Sequence, residues 1–193
     1  MIKSLSIIIL ISFSSLLSAH EHGEIMELQE KCSNGDAEHC TDLAFAYANG
    51  QGVEQDIKKA IALYEKSCPR DPLSCANLCY HYRQGIGVNK SLEKAINFGK
   101  KACEADDSVG CTELGYIYEM DKSDAQKQQL AVSAFMKGCS LDNADACFHL
   151  AQHYHYGLGV KKDLEKAQEN YEQACMFGVD EACDLSNLQV EKQ

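Results

Sequence analysis

Basic residues are scarce in this chain of 193 residues, which has 18 lysines and arginines against 29 aspartates and glutamates. The formal charge of −11 argues against a nucleic-acid-binding protein, because such proteins need positive charge to bind phosphate. Thirteen glycines and 45% hydrophobic residues exclude a collagen-like or disordered chain. Eleven cysteines are only about half the density of a small disulfide scaffold, so a loop-rich knot held by bridges alone is disfavoured.

The chain also lacks an apolar run long enough for a membrane anchor, since the run over residues 4–17 is short and polar residues soon follow it. A lysine before this run and the small residues Ser18 and Ala19 after it are typical of a secretory signal peptide. We predict cleavage after Ala19, so that residues 1–19 are the signal peptide. The exported chain is expected in the periplasm or outside the cell, where paired cysteines persist as disulfides.

Ten of the eleven cysteines recur with a period near 36 residues, in two series. The first series has intervals of 36, 35, 36 and 36 residues and comprises Cys32, Cys68, Cys103, Cys139 and Cys175. The second has intervals of 35, 36, 36 and 36 residues and comprises Cys40, Cys75, Cys111, Cys147 and Cys183. A repeat of this length predicts a helical solenoid.

Each repeat contains two amphipathic patterns of helical period. The first, which we call helix A, follows the opening cysteine and has apolar residues at offsets 3, 4 and 7 from it. A Gly-x-Gly-Val turn ends helix A in three repeats, and the second pattern, helix B, runs to the closing cysteine. Asp56, Ser91 and Asp163 precede helix B and are residue types that cap helices. In the third repeat residues 120–124 replace the turn and Gln128 replaces an apolar residue, so we expect the same hairpin there with a less tightly packed turn.

These patterns predict an all-α fold in which residues 20–193 form a single solenoid with atypical terminal units. The predicted segments are a partial N-terminal helix B over 24–32, repeats over about 37–70, 72–105, 108–141 and 144–177, and a capping helix over 180–193.

The cysteine spacing allows two pairing schemes. Pairing the cysteines that open and close one repeat, 28 residues apart, leaves Cys32 and Cys183 unpaired at opposite ends of the array. Pairing across the short connections uses all ten, and each bridge then contributes roughly 2 to 3 kcal/mol. We therefore predict the disulfides Cys32–Cys40, Cys68–Cys75, Cys103–Cys111, Cys139–Cys147 and Cys175–Cys183. Cys79 is left over at an inward-facing position for a small residue, so we interpret it as a buried free thiol rather than a reactive one.

The string Leu-Ala-x-x-Tyr, then Gly-x-Gly-Val, Asp-Leu-x-Lys-Ala and a tyrosine near the end of helix B, resembles the Sel1-like repeat. With cysteines separated by seven residues, the chain looks like a member of the Helicobacter cysteine-rich protein family over about residues 24–190. The resemblance implies a right-handed superhelix of α/α hairpins, related to tetratricopeptide arrays. Members of that family have been assigned penicillin binding and weak β-lactamase activity, and others are linked to host interaction. Function must still be argued from sites, because such folds usually serve as scaffolds.

One candidate site is catalytic. Ser91 and Lys94 match the Ser-x-x-Lys motif of a serine β-lactamase, but the partner motifs Ser-Asp-Asn and Lys-Thr-Gly do not occur in the sequence. Ser91 aligns with the aspartates that cap helix B in two other repeats. We therefore favour a capping role and treat a penicillin-binding β-lactamase as the alternative function.

Histidines provide two candidate metal sites. His149 and His153 lie one helical turn apart beside His155, yet no further ligand completes a set, so we interpret them as polar surface residues. Cleavage after residue 19 would place His20 and His22 at a new amino terminus, an arrangement that can chelate Cu(II) or Ni(II). A disordered polar end is the simpler interpretation, and we expect neither a metal nor a cofactor.

The neighbouring face of helix A, at offsets 1, 5 and 8 from the opening cysteine, is the candidate binding surface. Aromatic residues recur at offset 5, and an aromatic column can hold an extended peptide. The alternative is that this column only packs neighbouring A helices together. The candidate ligand-binding residues are Phe45, Asn77, Tyr80, Arg83, Tyr116, Glu119, Phe148 and Gln152. We predict a monomeric, non-catalytic scaffold for a peptide or protein partner, and the acidic chain favours a basic partner.

Overall fold

The computed structural model describes residues 23–186, and every regular element in that range is a helix. The first described helix, α1, covers residues 23–33. The others are α2 (Ala37–Asn49), α3 (Ile57–Ser67), α4 (Pro72–Gln84), α5 (Leu92–Glu104), α6 (Ser108–Glu119), α7 (Ala125–Ser140), α8 (Ala144–Tyr156), α9 (Leu164–Met176) and α10 (Asp180–Ser186). Even-numbered helices are the predicted A helices and odd-numbered helices the B helices, so the all-α repeat fold is confirmed. The predicted signal peptide and the end of the predicted capping helix lie outside the described residues.

Contacts divide the chain into two compact units, with the boundary between Asp71 and Pro72. Unit 1 contains the described helices α1, α2 and α3, of which α2 and α3 form a hairpin. Unit 2 contains three hairpins, α4 with α5, α6 with α7 and α8 with α9, and α10 packs against α9. Within unit 2, α4 contacts α6 and α6 contacts α8. These three A helices therefore lie side by side.

The helices begin and end at the residues that the sequence marks. The side chains of Asp56, Ser91 and Asp163 each accept a hydrogen bond from the backbone N–H three residues later and begin a B helix. Gly50 and Gly157 end A helices with φ of 70° and 73°, in the left-handed region that glycine adopts without strain. The predicted caps and glycine ends are confirmed.

The third repeat closes its hairpin with a glutamine side chain. Gln128 is buried, and its Nε2 donates to the backbone carbonyls of Asp121 at 3.0 Å and Glu119 at 3.4 Å. Asp124 caps α7 by accepting from two backbone N–H groups. The hairpin forms as in the other repeats, and in its altered turn these hydrogen bonds take over the closing role of the missing glycine turn.

Disulfides join the end of one B helix to the start of the next A helix. Four bridges are Cys32–Cys40, Cys103–Cys111, Cys139–Cys147 and Cys175–Cys183. Cys68 and Cys75 are disulfide-bonded as well, so all ten periodic cysteines are oxidised. Cys79 is free and buried, as the odd cysteine count indicates.

Candidate functional site

The candidate site in unit 2 lies on the three A helices that stand side by side. We call it the A-helix face, and it comprises Asn77, Tyr80 and Arg83 of α4, Tyr116 and Glu119 of α6, and Phe148 and Gln152 of α8. Phe45, which the sequence places in the same column, belongs to unit 1. The offset-1 position is mostly part of the helix packing instead, since Ala76 and Thr112 are buried.

Arg83 is the central charged residue of the A-helix face. Its Nε and Nη2 donate to the two carboxylate oxygens of Glu113 at 2.7 and 3.1 Å, a bidentate pair that holds the planar guanidinium in one orientation. The guanidinium carbon also lies 5.7 Å from the ring centroid of Tyr80 and 5.4 Å from that of Tyr116, within cation–π range. The site thus presents a fixed cation between two aromatic rings.

A second polar pair follows one repeat later. The Nδ1 of His149 lies 3.1 Å from Oε2 of Glu119. This hydrogen bond, opposed by partial burial, holds the pKa of Glu119 below its usual value. The His149 ring also meets the ring of Tyr116 edge-on at 4.9 Å, so it is held from two sides.

Glu113 and the pairing role of His149 were missed by sequence reasoning. Both stand two residues after an opening cysteine, and each binds the residue at offset 8 of the preceding A helix, 30 positions earlier. The signal was present in the sequence, because Arg83 with Glu113 and Glu119 with His149 are both complementary pairs at this separation. Recognising it requires knowing which A helices touch.

Exposure differs along the A-helix face. Tyr80 is 39% exposed, whereas Tyr116 is half-buried and contacts Phe135 of α7. Burial also raises the pKa of the Tyr116 hydroxyl, so it remains a neutral phenol. Phe148 packs against Tyr171 at 5.7 Å between ring centroids. The face is therefore aromatic throughout, and its α4 side is the most accessible to a ligand.

Two histidines form hydrogen bonds with the glycine turns instead of facing a ligand. The Nδ1 of His153 lies 2.7 Å from the carbonyl oxygen of Leu158, and the Nδ1 of His81 lies 3.0 Å from that of Ile86. A carbonyl only accepts, so the ring nitrogen carries the hydrogen and donates. His153 is 1% exposed, so the interpretation of this residue as a surface histidine was wrong. His149, the other histidine of the candidate metal pair, binds the carboxylate of Glu119 instead.

Ser91 has a structural role. Its hydroxyl accepts the backbone N–H of Lys94 at 3.3 Å and begins α5. The ammonium of Lys94 lies over the ring of Tyr82, 5.0 Å from its centroid. Nucleophilic catalysis needs a base within hydrogen-bond reach of the hydroxyl, and the Ser91–Lys94 contact in the structure is the backbone cap.

Cys79 is packed inside unit 2. It has no exposed surface, and burial, aided by the charge of Glu113, raises the pKa of its thiol to about 12. A thiol of this kind is not a nucleophile at neutral pH. His20 and His22 lie outside the described residues, and within residues 23–186 no group of three or more potential ligands could hold a metal ion.

No helix within residues 23–186 combines the length and apolar character needed to cross a bilayer.

Comparison with known proteins identifies the repeat. The family model described as the Sel1 repeat matches residues 38–68, 72–107 and 144–176. The stretch between the second and third matches is the third repeat with its altered turn. No curated protein sequence matches the chain.

Several solved structures share the fold. A Sel1 repeat protein from Oxalobacter formigenes has 23% identity and a TM-score of 0.71, with 84% of this chain and 73% of that chain covered. Cysteine rich protein B of Helicobacter pylori has 27% identity and a TM-score of 0.55, with 67% of this chain and 97% of that chain covered. Immunity protein Pa5087 of Pseudomonas aeruginosa has 24% identity and a TM-score of 0.58, with coverage of 82% and 59%. Three matched repeats account for more than half of the sequence, and the chain belongs to the Sel1 repeat family.

Proposed function

We propose that the protein is an exported, disulfide-stabilised scaffold that binds an extended peptide or a protein segment along the A-helix face of unit 2. The observation that carries this proposal is Arg83, whose guanidinium is fixed by Glu113 between the rings of Tyr80 and Tyr116. A fixed cation between aromatic rings is suited to recognition, because little side-chain freedom is lost when a ligand binds.

Polar groups on this face are free to bind a peptide backbone. The Nη1 of Arg83 has no hydrogen-bond partner within the described part of the chain, since Nε and Nη2 serve Glu113. The side chain of Gln152 has none there either, and Asn77 uses only its Nδ2, which donates to the carbonyl of Leu73 at 2.9 Å. Donors and an acceptor beside the exposed ring of Tyr80 are the groups that an extended peptide requires.

The oxidised cysteines support export, and the acidic composition supports a basic partner. Ten oxidised cysteines are typical of a protein in an oxidising compartment, which supports the predicted signal peptide and a periplasmic or secreted location. A formal charge of −11 favours a basic partner, because complementary charge accelerates encounter.

Peptide binding by Tyr80 variants tests the proposal. A library of extended peptides rich in basic and aromatic residues is screened against the oxidised protein, and the affinity of the best binder is measured by fluorescence anisotropy. Tyr80→Ala should weaken binding about tenfold or more, the usual effect of removing an aromatic anchor. Because Tyr80 is substantially exposed, the thermal midpoint should change little.

Tyr156→Ala is the matched control. Tyr156 is 65% exposed and lies at the end of α8, beside the turn and outside the proposed face. It should leave peptide affinity unchanged. Equal effects of the two variants, or no effect of Tyr80→Ala on a peptide that binds, would remove the A-helix face from the proposal.

A further inference from the structure

Unit 1 contains a groove of about 820 Å³ that lies between α1 and α2. This volume is within the range of about 300 to 1,000 Å³ that is typical of ligand pockets. Its lining residues come from α1, from α2 and from the turn after α2: Glu24, Ile25, Glu27, Leu28, Lys31, His39, Asp42, Phe45, Ala46, Gly50, Gln51 and Gly52. The third described helix of the unit, α3, contributes none of them.

The α1 side of the groove is one particular face of that helix. In the B helices of unit 2, the equivalent face packs against the A helix of the same repeat. Four residues before the closing cysteine, Phe135 of α7 contacts Tyr116 of α6, and Tyr171 of α9 contacts Phe148 of α8. Leu28 is the residue at this offset in α1, and it lines the groove. The groove therefore occupies the position where an A helix would pack against α1.

On the α2 side, the groove presents a carboxylate and an aromatic ring three residues apart. Asp42 and Phe45 stand at offsets 2 and 5 from the opening cysteine, as Glu113 and Tyr116 do in α6. In α6 these two residues hold Arg83 of the preceding A helix, by a bidentate ion pair and a ring contact. The same pair in α2 has the chemistry of an arginine site.

The accessibility of the pair differs between the two places. Glu113 is buried against Arg83, whereas Asp42 is exposed and has no hydrogen bond or ion pair from its side chain within residues 23–186. Phe45 is 49% exposed. The described helices of unit 1 thus leave the surface of α2 around Asp42 and Phe45 open. The equivalent surface of α6 in unit 2 is covered by α4.

We propose that this groove docks an amphipathic helix of a partner protein, which places an arginine against Asp42 and Phe45 and an apolar residue against Leu28. The helix would lie as α4 lies against α5 and α6. Helix-in-groove binding of this kind is read by apolar anchors at helical spacing, with the charged residue setting orientation. This surface is separate from the A-helix face of unit 2.

The charges favour a different protein over a second copy of this chain. The chain as a whole is acidic, so association of two copies opposes like charges.

A peptide that copies α4 is the probe for the test. It comprises residues 71–88, with alanine in place of Cys75 and Cys79, and it carries a fluorescent label. A chemical staple on its outer face holds it helical, because short helices are marginal in water. We expect saturable binding to the oxidised full chain by anisotropy. Asp42→Asn should weaken it about tenfold or more, as should Arg83→Glu in the peptide. Asp42→Lys should restore binding of that reversed peptide.

Glu38→Gln is the matched control, since it removes the same charge from α2 at an exposed residue that does not line the groove. It should leave peptide affinity unchanged. The proposal is overturned by three results: no saturable binding, equal effects of Asp42→Asn and Glu38→Gln, or self-association of the protein that Asp42→Lys abolishes.

Discussion

The contact between Cys79 and Gly99 predicts a specific pattern of coupled stability. A Cβ atom at Gly99 of α5 would lie 2.9 Å from the Cys79 sulfur of α4 and 2.9 Å from Cγ of Leu114. In the next repeat the sizes are reversed, since a Cβ at Gly115 would lie 2.3 Å from the ring of Phe135. The larger residue on one helix is thus matched by glycine on the other.

The energies of the single variants follow from this packing. Gly99→Ala adds a methyl group to a filled space, which costs about 1 to 3 kcal/mol, and gains about 1 kcal/mol of helix propensity. We therefore expect a net loss of about 1 kcal/mol. Cys79→Ala removes a buried sulfur and leaves a small cavity, for a loss of about 1 kcal/mol. In the double variant the new methyl group takes the space of the sulfur, so one of the two close contacts of Gly99→Ala is relieved.

The double-mutant cycle is measured by urea unfolding with the disulfides intact. The double variant should be more stable than the sum of the single effects by at least about 0.5 kcal/mol, as is usual for residues in contact. The remaining contact with Leu114 keeps the rescue incomplete. Additivity of the two single effects within about 0.3 kcal/mol would refute the view that Cys79 is retained to fill the space beside Gly99.

Four further predictions concern single side chains. Asp142 is a non-glycine residue with φ of 62°, so its backbone is strained. Asp142→Gly should raise the free energy of unfolding, measured by urea titration, by up to about 1 kcal/mol. A lower free energy of unfolding would contradict the strain. Ser91→Ala should cost about 1 kcal/mol through the lost helix cap and leave the hydrolysis of a chromogenic cephalosporin unchanged, whereas turnover that disappears with Ser91 would establish the β-lactamase alternative. His149→Ala should raise the pKa of Glu119, measured by NMR titration of its carboxyl group. The depressed pKa of Glu119 stabilises the fold at pH values above the pKa that this residue has in the unfolded chain. The difference in unfolding free energy between wild type and variant should therefore shrink as the pH falls through the pKa of Glu119 in the folded wild type. The thiol of Cys79, with its pKa raised to about 12 by burial, should react with an aromatic disulfide reagent only after unfolding, and rapid labelling of the native protein would contradict its inert role.

The period of the cysteines was sufficient to predict the hairpins, because each repeat carries its own helix signals. The caps at Asp56, Ser91 and Asp163 and the glycine that ends α8 are local features, determined by hydrogen bonds within three or four residues. Such features can be identified from residue types at fixed spacing. Their placement in the structure follows the predicted repeats closely.

Features that depend on contacts between repeats were not predicted. Gln128 in place of an apolar residue predicts a less tightly packed turn, yet its amide reaches two carbonyls that only the folded turn brings together. The sequence pattern indicates a surface histidine at His153, yet the turn after α8 folds back so that the carbonyl of Leu158 accepts the ring hydrogen. Periodicity indicates which face of a helix is apolar, but it does not say which polar side chain meets a neighbouring backbone group.

The pairing of offset 8 with offset 2 links the two proposed surfaces. In α6, Glu113 at offset 2 is buried because Arg83 at offset 8 of the preceding A helix covers it. In α2, Asp42 has the same offset and the same charge but remains exposed. Since charge and register are matched, the difference in exposure between Asp42 and Glu113 arises from what packs against each helix. A helix that brings a positive charge to the α1–α2 groove would therefore bury Asp42 as Arg83 buries Glu113, which makes the affinity for such a helix depend on that one carboxylate.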